Sequence, residues 1–195
     1  EFRRVLFRST SFTGWYILWK HNLIKTKYIS LFEYDVVINE NIEQIQSRFI
    51  YDDFEMIGYV PFPTSNYHFI DNLEWVENIL PAIKKVHNYD MEKNLRMMMK
   101  KNPQLLWSST SNTTFKVNIF NEFMKWFEPL IPYLKDTRTC GHAHERAISF
   151  FYLTKNKKMA LTNNVLKHLQ LDSHKTQGHS VNEMESKNKL LNNIM

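Results

Sequence analysis

Lys27–Ile38 reads KYISLFEYDVVI, and the fold turns on how that stretch is interpreted. Tyr28, Ile29, Leu31 and Phe32 suit a pleated surface, so KYISLF is expected to be a buried strand. The strand is expected to end near Glu33 and to resume at Val36. Along a strand, residues two apart project to the same face, which would set Glu33 and Asp35 side by side where the apolar run stops. Two readings stand. Paired carboxylates there are hard oxygen ligands for Mg²⁺ or Mn²⁺ facing a diphosphate, or they are an ordinary solvated strand end.

Working outward, helical and extended patterns alternate. SFTGWYILWKHN (11–22) reads as a helix with Ser11 or Thr13 as cap and Trp15, Leu18 and Trp19 on one side. NENIEQIQSRF (39–49) has helical spacing at Ile42, Ile45 and Phe49. EMIGYVPF (55–62) reads as a second strand, broken by Pro61 and Pro63, which cannot donate to a ladder. Asp71 is expected to cap a helix carrying Leu73, Val76, Ile79 and Leu80, with Pro81 opening or kinking its continuation through Val86. Asp90 is expected to cap another that ends before Asn102-Pro103, and QLLWSS (104–109) reads as a third strand. Phe115, Ile119, Phe123 and Phe127 mark an amphipathic helix ended by Pro129. A final helix should carry Ala147, Ile148, Phe151 and Tyr152 on its buried face. Helices alternating with short strands indicate an α/β sheet domain over residues 10–171.

Composition narrows the class. Hydrophobic residues make up 43% and aromatics 14%, which is globular rather than disordered. The single cysteine, Cys140, excludes an internal disulfide and fits a reducing compartment. No apolar run reaches the roughly 18 residues of a membrane span. Glu1–Ser9, EFRRVLFRS, matches an in-frame sequencing adapter and reads as a scar rather than native protein. Without its three arginines and one glutamate, the formal charge falls from +5 to +3, which weakens the case for a nucleic-acid partner. Residues 172–195 read as a polar tail containing His174 and His179. The chain does not begin with Met, so upstream sequence is expected to be missing.

The segment TCGHAHERAISFFYL (139–153) concentrates reactive groups and admits three readings. Cys140, His142 and His144 alternate and could bind zinc. Alternatively, Gly141 turns the chain and places His144 and Glu145 in the first helical turn, where an acid suits the positive end of the macrodipole. In the third reading that turn rims a pocket: Arg146 pairs with an anion, and Glu145 or a histidine accepts a proton from a hydroxyl.

Three blocks also resemble, in order, a glycosyltransferase-like domain family of bacterial capsule and exopolysaccharide clusters. FTGWYILWKHN with KYISLFEYDVVI is similar to that family's E-x-T-x-x-Y-W-x-W-K-N…Y-x-G-L-x-H-Y-R-R. SNTTFKVNIFNEFMKWFEPLI (111–131) resembles its G-N-M-F-I-M-x-K…F-x-x-Y-x-x-W-L-F-x-I-L. CGHAHERAISFFYL (140–153) resembles C-G-Y-x-A-E-R-L-F-x-x-W-L. The matching positions are Thr13, Trp19, Lys20, Asn112, Cys140, Gly141, Glu145 and Arg146. Where the family reads His-Tyr-Arg-Arg, this chain reads Glu33, Tyr34, Asp35 and Val36, closer to the acidic triplet with which GT-A enzymes hold Mn²⁺.

The resemblance implies a GT-A-like, Rossmann-like mixed sheet flanked by helices, lacking its N-terminal nucleotide-binding strands. It implies metal-dependent transfer of a sugar from a nucleotide-diphosphate donor to a glycan or other hydroxyl acceptor. Glu33 and Asp35 would hold Mn²⁺ or Mg²⁺, and Glu145 would be the base. Thr13, Trp19, Lys20, Asn112, His142 and Arg146 would contact substrate. Trp19 or Trp107 would stack on a sugar or fill the core, and His174 would complete a metal shell or lie in the tail. The cytoplasm, or the periphery of a membrane, is the expected location, and such a fragment can lack activity. The alternative is a non-catalytic carbohydrate-binding or assembly module on the same fold.

Overall fold

A computed structural model of the chain describes residues 10–33, 36–38, 47, 51–59, 61–63, 79–102, 106–108, 111–134, 140–162 and 166–168; for some of these, His142 among them, only the backbone is described. The expected helix at 39–49, the Asp71 cap, Asp35, His174 and the polar tail lie outside the described residues, apart from Ser47.

The N-terminal helix α1, Thr10–Lys20, forms with Phe12, Trp15 and Tyr16 buried, but Ser11 and Thr13 lie inside it rather than capping it, and Leu18, expected on the buried side, is exposed. Strand β1 is Tyr28–Leu31 and β2 is Val36–Ile38. The break between them falls where the acids lie, but β1 stops at Leu31. Glu33 therefore sits in the connection beyond the strand, where pleat alternation no longer fixes its direction. Strands β3, Met56–Tyr59, and β4, Pro61–Pro63, follow. Contrary to expectation, the prolines are part of a strand. β4 pairs antiparallel with β5, Leu106–Ser108, in a two-stranded ribbon with Phe62 opposite Trp107. Hydrogen-bonded and free positions alternate along such a pair, so two prolines spaced by two fall at the same kind of position.

Helix α2, Ile79–His87, runs through Pro81, and α3, Met91–Lys101, begins at Asp90, whose carboxylate accepts from Lys93 N. Strand β6, Thr113–Lys116, precedes helix α4, Val117–Phe127. Phe115 was expected on that helix and lies instead in β6, fully buried. Nor does Pro129 end the helical path. A 3₁₀ turn at Glu128–Leu130 carries it into α5, Ile131–Leu134, because proline at the start of a turn gives up only an N–H that would be unpaired there. Helix α6 spans Cys140–Lys155, and β7, Met159–Thr162, and β8, Leu166–His168, close the described chain. Neither β7 nor β8 was expected, since both are short and carry polar residues.

The fold is α/β, with a mixed four-stranded sheet of order β1-β6-β3-β7 and helices against it. β6 runs antiparallel to β1 and to β3, and β7 is parallel to β3, so β1, β3 and β7 all point one way. Their carboxyl ends, together with the start of β6, form one edge. β3 is buried along its whole length, and its faces part by alternation: Met56 joins the large helix-side core, while Ile57 and Tyr59 form a smaller cluster with Tyr28, Phe32 and Phe54.

The helix-side core is aromatic. Phe123 of α4 packs on Phe115 at 5.6 Å, Phe127 at 5.8 Å and Phe151 of α6 at 5.4 Å between ring centroids. Gly58 is required by close approach: a Cβ there would lie 2.9 Å from the Ser108 Cβ and 2.5 Å from the Met159 Cε. Ser149 Oγ of α6 donates to the Ser108 carbonyl, tying α6 to the β5 ribbon beside that glycine.

Candidate functional site

At the carboxyl edge of β1, β3 and β7, four side chains from three separate segments converge. Glu33 follows β1, Asn112 precedes β6, and Glu145 and Arg146 occupy the second turn of α6. Asn112 is fully buried and grips Glu33 twice: its Oδ1 accepts from the Glu33 backbone N–H at 2.9 Å, and its Nδ2 donates to Glu33 Oε2 at 2.9 Å. Its own carbonyl accepts from Tyr59 N at 3.0 Å, so the amide is fixed to the end of β3 as well. Asn112 thus acts as a bracket between two strand ends.

Arg146 is near enough to Glu33 for their charges to interact. Its side chain is only 8% exposed, and Nη1 sits 3.3 Å from Glu145 Oε2, whose side chain is 24% exposed. Burial draws the Arg146 guanidinium below its ordinary pKa, while Glu145 and then Glu33 push it back up. Glu145 contacts the guanidinium directly, and the charge of Glu33 also favours its cationic form. Sites at the carboxyl ends of strands are where open α/β sheets bind ligands.

α6 begins at Cys140, so Gly141 lies within the helix and does not turn the chain, and the first turn holds no acid. Glu145 is one turn further in than the capping reading required, so the macrodipole does not account for it. His144 points the other way, into the core. It is 4% exposed, stacks on Phe12 at 4.4 Å and meets Phe127 edge-on at 5.2 Å. Burial pushes its imidazole down to about 3, so it is neutral at ordinary pH. Cys140 and His142 lie on the first turn of α6, with their side chains outside the described set.

The α1 residues form a second cluster. Lys20 Nζ donates to Glu128 Oε1 at 2.7 Å, and the Tyr16 hydroxyl donates to the same oxygen at 2.6 Å. Lys20 also lies 5.2 Å from the Trp19 ring centroid. Burial raises the Glu128 carboxyl, and the bonds from Lys20 and Tyr16 more than reverse it, leaving its pKa below the ordinary value. Trp19 packs partly buried against the core, and Thr13 is half-buried. Lys20 lies eight residues along α1 from Phe12, about 12 Å along the axis at 1.5 Å per residue. Phe12 is the residue that meets α6, so Lys20 and Trp19 belong to the Glu128 end of α1. Trp107 falls in β5.

Among the described residues, no three His, Cys, Asp or Glu side chains gather as a metal-holding group, and Asp35 lies outside them. The donors at the strand edge are carboxylate and amide oxygens, the chemistry that Mg²⁺ and Mn²⁺ take, typically with one or two carboxylates. Glu33 fits as one of those carboxylates. Sequence reasoning missed how Asn112 works, as well as Gly58 and Ser149. A small residue amid a strand was the available signal for Gly58.

No protein-family model matches the sequence. Nor does any curated protein. Among solved structures, the fold is similar to that of WbbM, a bifunctional glycosyltransferase in its apo form. The TM-score is 0.58 at 12% identity, over 83% of this chain and 36% of that one. This chain therefore corresponds to about a third of the length of that protein, and the likeness is one of fold. No helix among the described residues is long and apolar enough to cross a membrane.

Proposed function

We propose that the chain belongs to a metal-dependent glycosyltransferase that moves a sugar from a nucleotide-diphosphate donor to a hydroxyl of a glycan or similar acceptor. The observation that carries this reading is the meeting of Glu33, Asn112, Glu145 and Arg146 at the carboxyl edge of the sheet, in a fold similar to that of a glycosyltransferase.

In this reading Glu145 is the base. It accepts the acceptor's hydroxyl proton as that oxygen bonds to the anomeric carbon and the bond from that carbon to the diphosphate breaks. Arg146 orients Glu145 through their contact and adds positive potential next to the leaving diphosphate. Glu33, with Asp35, holds Mn²⁺ or Mg²⁺, and Asn112 fixes the direction of the Glu33 carboxylate. The bound cation would neutralise charge on the leaving group. Thr13, Trp19, Lys20 and His142 stay assigned to substrate by resemblance, and GT-A is the fold family this reading favours. A role in polysaccharide assembly and a place in the cytoplasm or at a membrane periphery belong to the same reading.

The test is turnover with Mn²⁺ and a panel of nucleotide sugars. Glu145→Gln should abolish transfer while leaving donor binding in place. If the double change Glu33→Ala with Asp35→Ala leaves turnover as it was, the metal role is wrong. The second reading, a carbohydrate-binding module, draws on the engagement of Glu145 by Arg146. It predicts glycan binding in calorimetry with neither metal nor nucleotide present.

A further inference from the structure

A separate groove of about 560 Å³ opens between α2 and α3. That volume lies within the range of small-ligand sites, roughly 300–1,000 Å³. Four cations, Lys84, Lys93, Arg96 and Lys100, line it against two acids, Asp90 and Glu92. Each acid already has a cation: Lys84 Nζ is 2.8 Å from Asp90 Oδ2, and Arg96 Nη2 is 2.9 Å from Glu92 Oε1. Among the described residues no ion pair engages Lys93 or Lys100, although the charge of Lys93 also acts on Asp90; with four cations against two acids, the lining carries a net positive charge.

The positive charge is arranged on one side. Positions 93, 96, 97 and 100 are spaced by three and four and share a face of α3. Met97 lies at the centre of that face and is 42% exposed, and Leu80 and Pro81 of α2 supply an apolar wall. The backbone N–H of Lys93 is already capped by Asp90, so an incoming anion would meet side chains rather than the helix terminus. An apolar centre with an ammonium on either side suits a ligand that combines a phosphate group with a less polar body.

We infer that the α2–α3 groove binds a phosphate ester, at a second site independent of the proposed transfer chemistry. Nothing in the Glu33 cluster enters this inference, so it stands or falls separately.

The test uses the whole chain carrying Glu145→Gln, with pyrophosphate as the soluble probe in calorimetry. Phosphatidylcholine vesicles with and without phosphatidylglycerol serve as the lipid probe in flotation. Saturable binding that weakens with added salt is expected. It should fall by at least about tenfold, or 1.4 kcal/mol, in Lys93→Glu/Lys100→Glu. Lys125→Glu, an exposed charge on α4, should leave it as it was. The milder Lys93→Gln/Lys100→Gln pair, checked by circular dichroism, separates loss of binding from loss of fold. Flotation that needs phosphatidylglycerol and disappears on charge reversal identifies a lipid headgroup. Pyrophosphate binding without flotation assigns the groove to a soluble phosphate compound rather than a lipid headgroup. Failure to bind either probe, or binding that ignores the lysine changes, overturns the site.

Discussion

Two polar clusters in this molecule use similar parts in different surroundings. At the strand edge, Arg146 contacts Glu145 and feels the charge of Glu33, with its own side chain 8% exposed and Asn112 fully buried. At the far end of α1, Lys20 and Tyr16 share one oxygen of Glu128, with the lysine side chain 50% exposed. Water can replace the lysine in the second cluster and is largely excluded from the first. The same ion-pair chemistry should therefore matter structurally at the strand edge and hardly at all on α1. The buried cluster is also the one assembled from three distant segments, so it carries more information about the fold.

Arg146→Met is the sharpest way to break that contrast. It leaves Glu145 without its buried cation, and a loss of about 3 kcal/mol in urea denaturation is expected, as for a buried pair deprived of one partner. A loss no larger than that of a surface pair would mean that water reaches the cluster. Next comes acid sensitivity on the opposite side of the same helix turn. The His144 imidazole is held near 3 when folded, against about 6.5 when unfolded. The unfolded chain therefore takes up a proton that the folded chain refuses. The stability this contributes is complete above about pH 6.5 and is lost as pH falls towards 3. Between pH 7.5 and pH 5 the loss should be about 2 kcal/mol, and His144→Phe, which keeps the stack on Phe12, should remove that slope.

Asn112→Ala should cost about 1–3 kcal/mol, because the Glu33 backbone N–H and carboxylate both lose their amide partner. If the proposed chemistry is right, metal-dependent activity should fall further than stability does, whereas a purely structural bracket would lower both together. The smallest effect is expected from Lys20→Met on α1, with no shift in the denaturation midpoint. A measurable shift there would show that the exposed cluster is more rigid than its solvent contact suggests.

Much of the order along the chain was legible in sequence, since the existence of α1 and α6, the split between β1 and β2 and the Asp90 cap follow from periodicity and capping chemistry, whereas α6 is buried on all sides from Arg146 to Phe151. Residues decided by neighbours distant in sequence were harder to read. Phe115 keeps perfect helical spacing with Ile119 and Phe123, yet pairing with Ile29 and Met56 draws it into β6. Pro61 and Pro63 look like strand breakers until the β5 partner is known. β7 has no strong pattern of its own and is a strand because β3 offers it a parallel edge. At the site, the residue types at Glu33, Glu145 and Arg146 pointed to anion and cation chemistry. That Asn112 would clamp Glu33 could not be read from residues 79 positions apart.

By itself, the sequence determined the α/β class, the helix-side aromatic core and the placing of acids just past the first strand, because local periodicity and side-chain shape act over a few residues. Only the tertiary structure decided which acids meet, which histidine is buried and which lysine stays in solvent. Those outcomes depend on how much water each group loses when separate segments pack together, and no local pattern encodes that loss.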